Sequence, residues 1–414
     1  MGICRYLGLR LEKSASHRKP LCMGGSLYRV HHESMKTTEK EAVEGLIALS
    51  NQYGTGTDYV IAGGGNTSWK SDSVLWVKGS GQSLSTIQAD GFVKVNRQAL
   101  AALWAKTLPS DTDEREKQVL AELMAARLPG EEHKRPSVET LLHDLMPFTY
   151  VVHTHPTLVN AITCAQDGEK TFQRLFAKEA VWIPLVNPGY ILSKIVKDAL
   201  EGFQKKNGKI PAIIFMQNHG IVVAGNTAAE IDAAYARIMK TIRAEVKTQA
   251  DLAPLPVDAA AEARFLAALL PEAKKALAAE SVFLTRVTGK TALALAADTA
   301  GFAPLSSAYS PDHIVYMGVS PIRVDSPAEL PAAFAAYQAK WKKAPRVVLA
   351  KGLGAFCIGP TEKTAAQAHL LFLDAAKIAV TTPSFGGPRF MTPEHIDFIV
   401  NWEVEAFRSQ VSSK

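Results

Sequence analysis

Cysteine is scarce: Cys4, Cys22, Cys164 and Cys357 are the only four in 414 residues, far apart and without a C-x-x-C pair. That pattern argues against a disulfide framework and suits a reducing compartment, so the cytoplasm is the expected location. Long apolar runs are also missing. Stretches such as RFLAALL at 264–270 stop within two turns, well short of the roughly 18 residues a membrane-spanning helix needs. No membrane partner is expected. Neither G-x-x-x-x-G-K-[ST] nor G-x-G-x-x-G occurs in the glycine-rich stretch at 63–81, so no nucleotide loop is indicated there. What remains is a chain with 47% apolar residues, enough to bury one large core or two ordinary ones.

The net charge of +6 is concentrated at the start of the chain. Residues 1–34 hold Arg5, Arg10, Lys13, Arg18, Lys19 and Arg29 against Glu12 and Glu33, which leaves only +2 for the other 380 residues. So small an excess gives no electrostatic footprint for nucleic acid. Residues 1–35 read as a basic, poorly ordered extension. They lack the apolar core of a secretory signal, and two readings stand: a weak organelle-type presequence, or translation from Met35, the favoured one. From there MKTTEKEAVEGLIALSNQYG begins an amphipathic helix capped by Thr37 or Thr38.

Beyond Met35 helical and strand patterns alternate, which predicts a mixed α/β layer fold. YVIAGGGNTSWKSDSVLWVKGSG reads as a strand ending at Ala62, a turn through Gly63, Gly64 and Gly65, a short strand around Trp69, and a hairpin into Gly79-Ser80-Gly81. Such glycines serve tight turns, or they leave main-chain N–H groups free to converge on an anion. In the second case Asn66, Thr67, Ser80 and Gly81 surround a phosphate, with Lys70 or Lys78 supplying charge. Residues 105–135 are charged and flanked by prolines, a surface excursion with one short helix. Pro136 and Ser137 then open a helix with Glu139 in its first turn, favourable to the helix dipole in any protein, and with His143 one turn later in a structural role.

That helix leads into VVHTHP. Alternate residues of a strand share a face, so His153 and His155 project from the same side. Alone, the pair fits two hydrogen-bonded histidines as well as half of a metal site. The third histidine decides: PAIIFMQNHGIVVAGNT reads as a strand over 212–216, a break at Asn218-His219-Gly220, and a second strand into a capped helix. Three neutral nitrogen donors, with a glutamate nearby and an anion cradle upstream, form the parts list of an open zinc site.

In this order GGGNTS, KGSG, PSVE, HTHP and NHG resemble the class II (zinc-dependent) aldolase/adducin family. From about residue 36 to the C-terminus the chain is also similar to the aldolase portion of long bacterial rhamnulose-phosphate aldolase/lactaldehyde dehydrogenase proteins, through WIPLVNPGYILSKI, SPDHIVY and VVLAKGLGAFCIG. The resemblance implies a three-layer α/β/α fold with a mixed central sheet, and one Zn2+ per chain on His153, His155 and His219. It implies Glu139 as catalytic acid/base. It also implies substrate phosphate held by Asn66, Ser80, Gly81 and Ser137, to which the hairpin reading adds Thr67, with a small sugar phosphate as substrate and a homo-oligomer. The family's proton-donating tyrosine, often supplied across a subunit boundary, has Tyr190 as its nearest candidate. One departure is Ser137-Val138, where short members often carry two serines before the glutamate.

The chemistry fits these parts. Cleaving a β-hydroxy ketone leaves an enediolate, whose negative oxygen calls for a Lewis acid. A carboxylate must move the hydroxyl proton, and a phosphate cradle fixes which bond faces the metal. The expected function is cleavage of a ketose 1-phosphate, rhamnulose 1-phosphate-like, to dihydroxyacetone phosphate and an aldehyde. Sugar-phosphate 4-epimerisation, or an aldolase for another sugar or sugar-acid phosphate, is the alternative on the same scaffold. A non-catalytic adducin-like scaffold is disfavoured because every ligand and the glutamate are present.

The expected division is a catalytic domain over 36–250 and a C-terminal α/β lobe over 251–414, joined by a linker around Pro254 and Pro256. The lobe contains an echo: PAIIFMQNHGIVVAGNT at 211–227 and PRVVLAKGLGAFCIGPT at 345–361 align without a gap, with Leu353 in the place of His219. This reads as a degenerate second copy that has lost the ligand, or as coincidence between two common hairpin-helix patterns.

Overall fold

The computed structural model describes residues 38–402; the expectations for residues 1–35, and Cys4 and Cys22, lie outside them. Seven strands build the first sheet: β1 (Asn66–Lys70), β2 (Val74–Lys78), β3 (Phe92–Asn96), β4 (Tyr150–Thr154), β5 (Ala180–Ile183), β6 (Ile213–Met216) and β7 (Gly220–Gly225). Their order is β3-β2-β1-β4-β7-β6-β5, antiparallel throughout except for the β5–β6 pair. Strand periodicity sorts its residues into two apolar layers. Val151, Ile214 and Val222 pack with Leu142, Leu192 and Val196 from helices Thr140–Leu145 and Tyr190–Asn207. Val152, Phe215, Ile221 and Val223 face the opposite way, against Val159, Phe172, Ile231 and Tyr235. The result is the expected three-layer α/β/α arrangement.

Two local expectations change. Residues 59–62 form no strand: Ala62 has φ +53°, and a single bond from the His155 N–H to the Tyr59 carbonyl joins this segment to the end of β4. Glu139 stands at the cap position just before helix Thr140–Leu145 rather than inside its first turn.

The second sheet contains β8 (Phe283–Val287), β9 (Ile322–Val324), β10 (Val347–Ala350) and β11 (Gly354–Gly359), ordered β8-β11-β10-β9. This repeats the β4-β7-β6-β5 half of the first sheet in order and in direction: antiparallel, antiparallel, then parallel. Hairpin register agrees too, Met216 opposite Gly220 in one copy and Ala350 opposite Gly354 in the other. Each hairpin runs into a helix capped by a threonine, Thr227 or Thr361, whose hydroxyl accepts the N3 N–H. The shared topology sets coincidence aside, because it extends to strands that the aligned 17-residue segments do not contain.

Strand register also locates the counterparts of the other two histidines. His153 pairs with Val222, two residues after Gly220; Arg286 pairs with Phe356, two residues after Gly354. Arg286 and Thr288 therefore replace His153 and His155, as Leu353 replaces His219. The second copy keeps the scaffold and none of the three imidazoles.

Residues 246–257 carry no helix or strand and connect the two halves. Contact between the halves continues beyond this connection: Cys164 of the first is part of the core formed by Leu349, Cys357 and Phe372 of the second. Among the described residues both cysteines are free and buried, and no helix is long and apolar enough to cross a membrane.

Candidate functional site

His153 lies in β4 and His155 one residue past its end, while His219 occupies the turn between β6 and β7. The adjacency of β4 and β7 brings the three together, with ring centroids 4.7, 4.9 and 5.1 Å apart and ligand nitrogens all within 4.8 Å of one another. The turn depends on two unusual backbone positions. Asn218 has φ +53°, a conformation asparagine tolerates better than most residues. A Cβ on Gly220 would stand 2.4 Å from the Thr154 carbonyl and 2.7 Å from the His155 ring. Only glycine lets β7 come that close to the end of β4.

Hydrogen bonds fix which nitrogens are available. His153 Nδ1 donates to the Ile221 carbonyl at 3.0 Å, and His155 Nδ1 donates to Asp312 Oδ2 at 2.5 Å. Both Nε2 atoms are left facing each other at 2.9 Å. Burial pushes His153 down to about 4 and His219 down to about 3, so both rings are neutral near pH 7. Glu139 Oε2 lies 3.5 Å from His153 Nε2, and its Oε1 lies 3.6 Å from His219 Nε2. That Oε1 is buried with no hydrogen-bond partner. Three converging imidazole nitrogens are the donor set of a divalent cation, so His153, His155 and His219 could hold one, with the unpartnered Glu139 oxygen beside them.

A relay behind Glu139 holds it in place. Asn66 Nδ2 donates to Glu139 Oε2 at 2.6 Å, which leaves Asn66 Oδ1 as the acceptor for His143 Nε2–H. His143 Nδ1 then accepts from the Ser68 hydroxyl at 2.7 Å, and burial pushes this ring down to about 3. Burial opposes the charge on Glu139, but the charge that the facing His153 and His219 rings take up in acid, with the Asn66 amide, outweighs it and holds the carboxyl at about 2. His143 thus sets the orientation of the amide that positions Glu139.

Beside these groups is a cleft whose lining includes Asn66, Lys78, Ser80, Gly81, Ser137, Glu139, His155, His219 and Asp312. Some of the polar groups there are already engaged. The Ser80 N–H donates to the Arg135 carbonyl and its hydroxyl to that of Pro136, Ser137 Oγ accepts from the Glu139 N–H, and Lys78 Nζ donates to the carbonyls of Gly63 and Gly65.

Three expected residues lie elsewhere. Thr67 is fully buried and shares a hydrogen bond with Ser50 Oγ, because alternation along β1 turns it away from the face that presents Asn66. Tyr190 begins helix Tyr190–Asn207, with its ring against Trp104 and its N–H on Glu116, so within one chain it does not line the cleft. Lys70 Nζ is buried on the carbonyls of His143 and Met146, and burial lowers it to about 7. Sequence reasoning gave no role to Asp312, Asn218 or the relay through His143. SPDHIVY was noted as a motif, but no spacing rule connects Asp312 to His155, 157 residues earlier.

The mixed sheet thus brings three histidines and a glutamate together beside a Gly-Ser-Gly turn, in an arrangement that could hold a metal ion. Residues 44–245 match the family described as Class II Aldolase and Adducin N-terminal domain. The chain is 31% identical over 197 residues to YuxG of Bacillus subtilis (strain 168), described as an uncharacterized oxidoreductase. That match spans 45% of this chain and 27% of the relative, so little more than a quarter of the relative's length is represented. Among solved structures, the N-terminal class II aldolase domain of a Thermoplasma acidophilum protein aligns at 26% identity and TM-score 0.42, covering 53% of this chain and 99% of that one. L-fuculose 1-phosphate aldolase from Glaciozyma antarctica PI12 aligns at 15% identity and TM-score 0.30, covering 49% and 71%.

Proposed function

We propose that the chain is a zinc-dependent aldolase that cleaves a ketose 1-phosphate of the rhamnulose 1-phosphate type to dihydroxyacetone phosphate and an aldehyde. The catalytic unit is assigned to residues 36–250. One observation carries the reading: three imidazoles converge beside Glu139, and His155, His219 and Glu139 share a cleft with Ser80, Gly81 and Ser137.

His153, His155 and His219 are the residues that would hold one Zn2+. When bound there, the ion supplies a Lewis acid for the negative charge that develops on the ketone oxygen. Glu139 takes the proton from the hydroxyl whose carbon is about to leave. Once the carbon–carbon bond breaks, the same carboxyl can return a proton to the enediolate carbon, so a single group accounts for both transfers. Asn66 keeps the carboxylate aimed, with His143 behind it. Ser80, Gly81 and Ser137 take the phosphate and fix register along the cleft.

A second reading, an aldolase for another sugar or sugar-acid phosphate or a 4-epimerase, gains support from one feature. Donors that a phosphate would use are partly committed inside the protein, at the Ser80 N–H and Lys78 Nζ. Assaying dihydroxyacetone phosphate release from a panel of ketose 1-phosphates, before and after zinc removal and restoration, separates the two. Zinc-restored release supports the aldolase. If zinc is bound and no ketose 1-phosphate releases dihydroxyacetone phosphate, the second reading takes its place.

A further inference from the structure

Two of the three ligand positions are fixed by residues from outside the stretch that matches the family. Asp312 opens the helix Pro311–Tyr316 and reaches into the site, where its buried carboxylate accepts from His155 Nδ1 at 2.5 Å. The neighbouring glycine turn leaves room for it: a Cβ on Gly64 would stand 2.7 Å from Asp312 Oδ2. Farther along the same helix the Tyr316 hydroxyl accepts from the Gly63 N–H at 3.3 Å. On the same helix buried His313 shares a hydrogen bond with Ser310 Oγ at 2.8 Å, and Asp374 Oδ2 of the long helix Glu362–Thr381 lies 3.1 Å from its Nε2 without hydrogen-bond geometry. An independent contact serves His219. The side-chain amide of the preceding Asn218 donates to the carbonyls of Tyr309 at 2.9 Å and Arg389 at 2.8 Å.

We propose that the C-terminal half is a built-in part of the metal centre, with Asp312 as the positioning residue that sets the tautomer and direction of His155, and Asn218 as the anchor of the His219 turn. A carboxylate on Nδ1–H keeps the lone pair on Nε2 and fixes the direction of the ring, the role of an outer partner to a histidine ligand. The second copy of the fold therefore has a use even without ligands of its own: it carries the carboxylate that the ligand strand lacks. The inference rests on reading the three histidines as a metal site.

Zinc affinity of the full chain, measured by chelator competition, tests both levels separately, with circular dichroism confirming that each variant is folded. Wild-type protein should bind one zinc. Asp312→Ala should weaken binding about 10- to 100-fold, the usual effect of removing such a partner. Asp312→Asn keeps an acceptor at the same place and should fall between them. If the alanine variant does not fold, the isosteric Asn variant and Asn218→Gly, which tolerates the positive φ while losing both amide bonds, carry the test. The cobalt-substituted spectrum should shift in the same variants. Wild-type affinity and an unchanged cobalt spectrum in folded Asp312→Ala would overturn the positioning role. A wild-type chain that binds no zinc would overturn the metal reading and this inference with it.

Discussion

The side-chain amide of Asn66 bridges two buried groups, donating to Glu139 Oε2 at 2.6 Å while its oxygen accepts from His143. Asn66→Ala should therefore lower kcat by about 10- to 100-fold, the equivalent of one hydrogen bond to a charged group worth about 1.5–3 kcal/mol. KM should change little, because the bond aims the carboxylate and is not made to substrate. Steady-state kinetics on wild type and variant would show it; a selective rise in KM would assign Asn66 to substrate binding instead.

Glu139→Gln keeps the shape of the side chain and removes its ability to accept a proton. The expected loss in kcat is about 10²- to 10⁴-fold, the usual range for a general acid–base group. Zinc content should stay near wild type. Loss of the metal in this variant would make Glu139 a ligand rather than the proton carrier.

Acid should destabilise the metal-free protein through His143. The unfolded chain protonates this residue near pH 6.5, whereas burial holds the folded ring down to about 3, so protons favour unfolding between those values. Stability is complete above pH 6.5 and declines by up to about 1.4 kcal/mol per pH unit from this ring as the pH falls. Urea titrations at several pH values should show a shallower decline in His143→Leu than in wild type. Equal slopes would assign the acid sensitivity to other groups.

The second copy should not regain a metal by a single change. Leu353→His restores the counterpart of His219, but Arg286 and Thr288 still occupy the other two ligand positions. Zinc stoichiometry should remain at one per chain, and the melting temperature should fall because Leu353 is buried in the core with Phe265 and Phe356. A second equivalent of tightly bound zinc would contradict the register that places Arg286 opposite Phe356.

Much of the site was legible because strand periodicity is a short-range rule. His153 and His155 share a face by alternation alone, and a histidine at the break between two apolar strands marks a turn at a sheet end. Glu139 and Asn66 followed from motifs in the same half. Thr67 was misplaced although the alternation that assigns it to the other face of β1 was available, since the glycine-rich turn before it suggested a continuous cradle. Tyr190 was chosen for nearness in sequence to the ligand strands, and its packing on Trp104 depends on a helix contact that no local pattern encodes. Asp312 lay beyond reach for the same reason. The echo between the two hairpins was visible over 17 residues, but its meaning came from the neighbouring strands, whose pairing order no alignment of the hairpins contains.

The most direct measurement is zinc stoichiometry on the purified full chain, together with dihydroxyacetone phosphate release from rhamnulose 1-phosphate, for wild type and His155→Ala. About one zinc per chain and release abolished by a chelator, both lost in the variant, is the predicted result. Release that persists without zinc, or in the variant, would contradict a mechanism built on these three histidines.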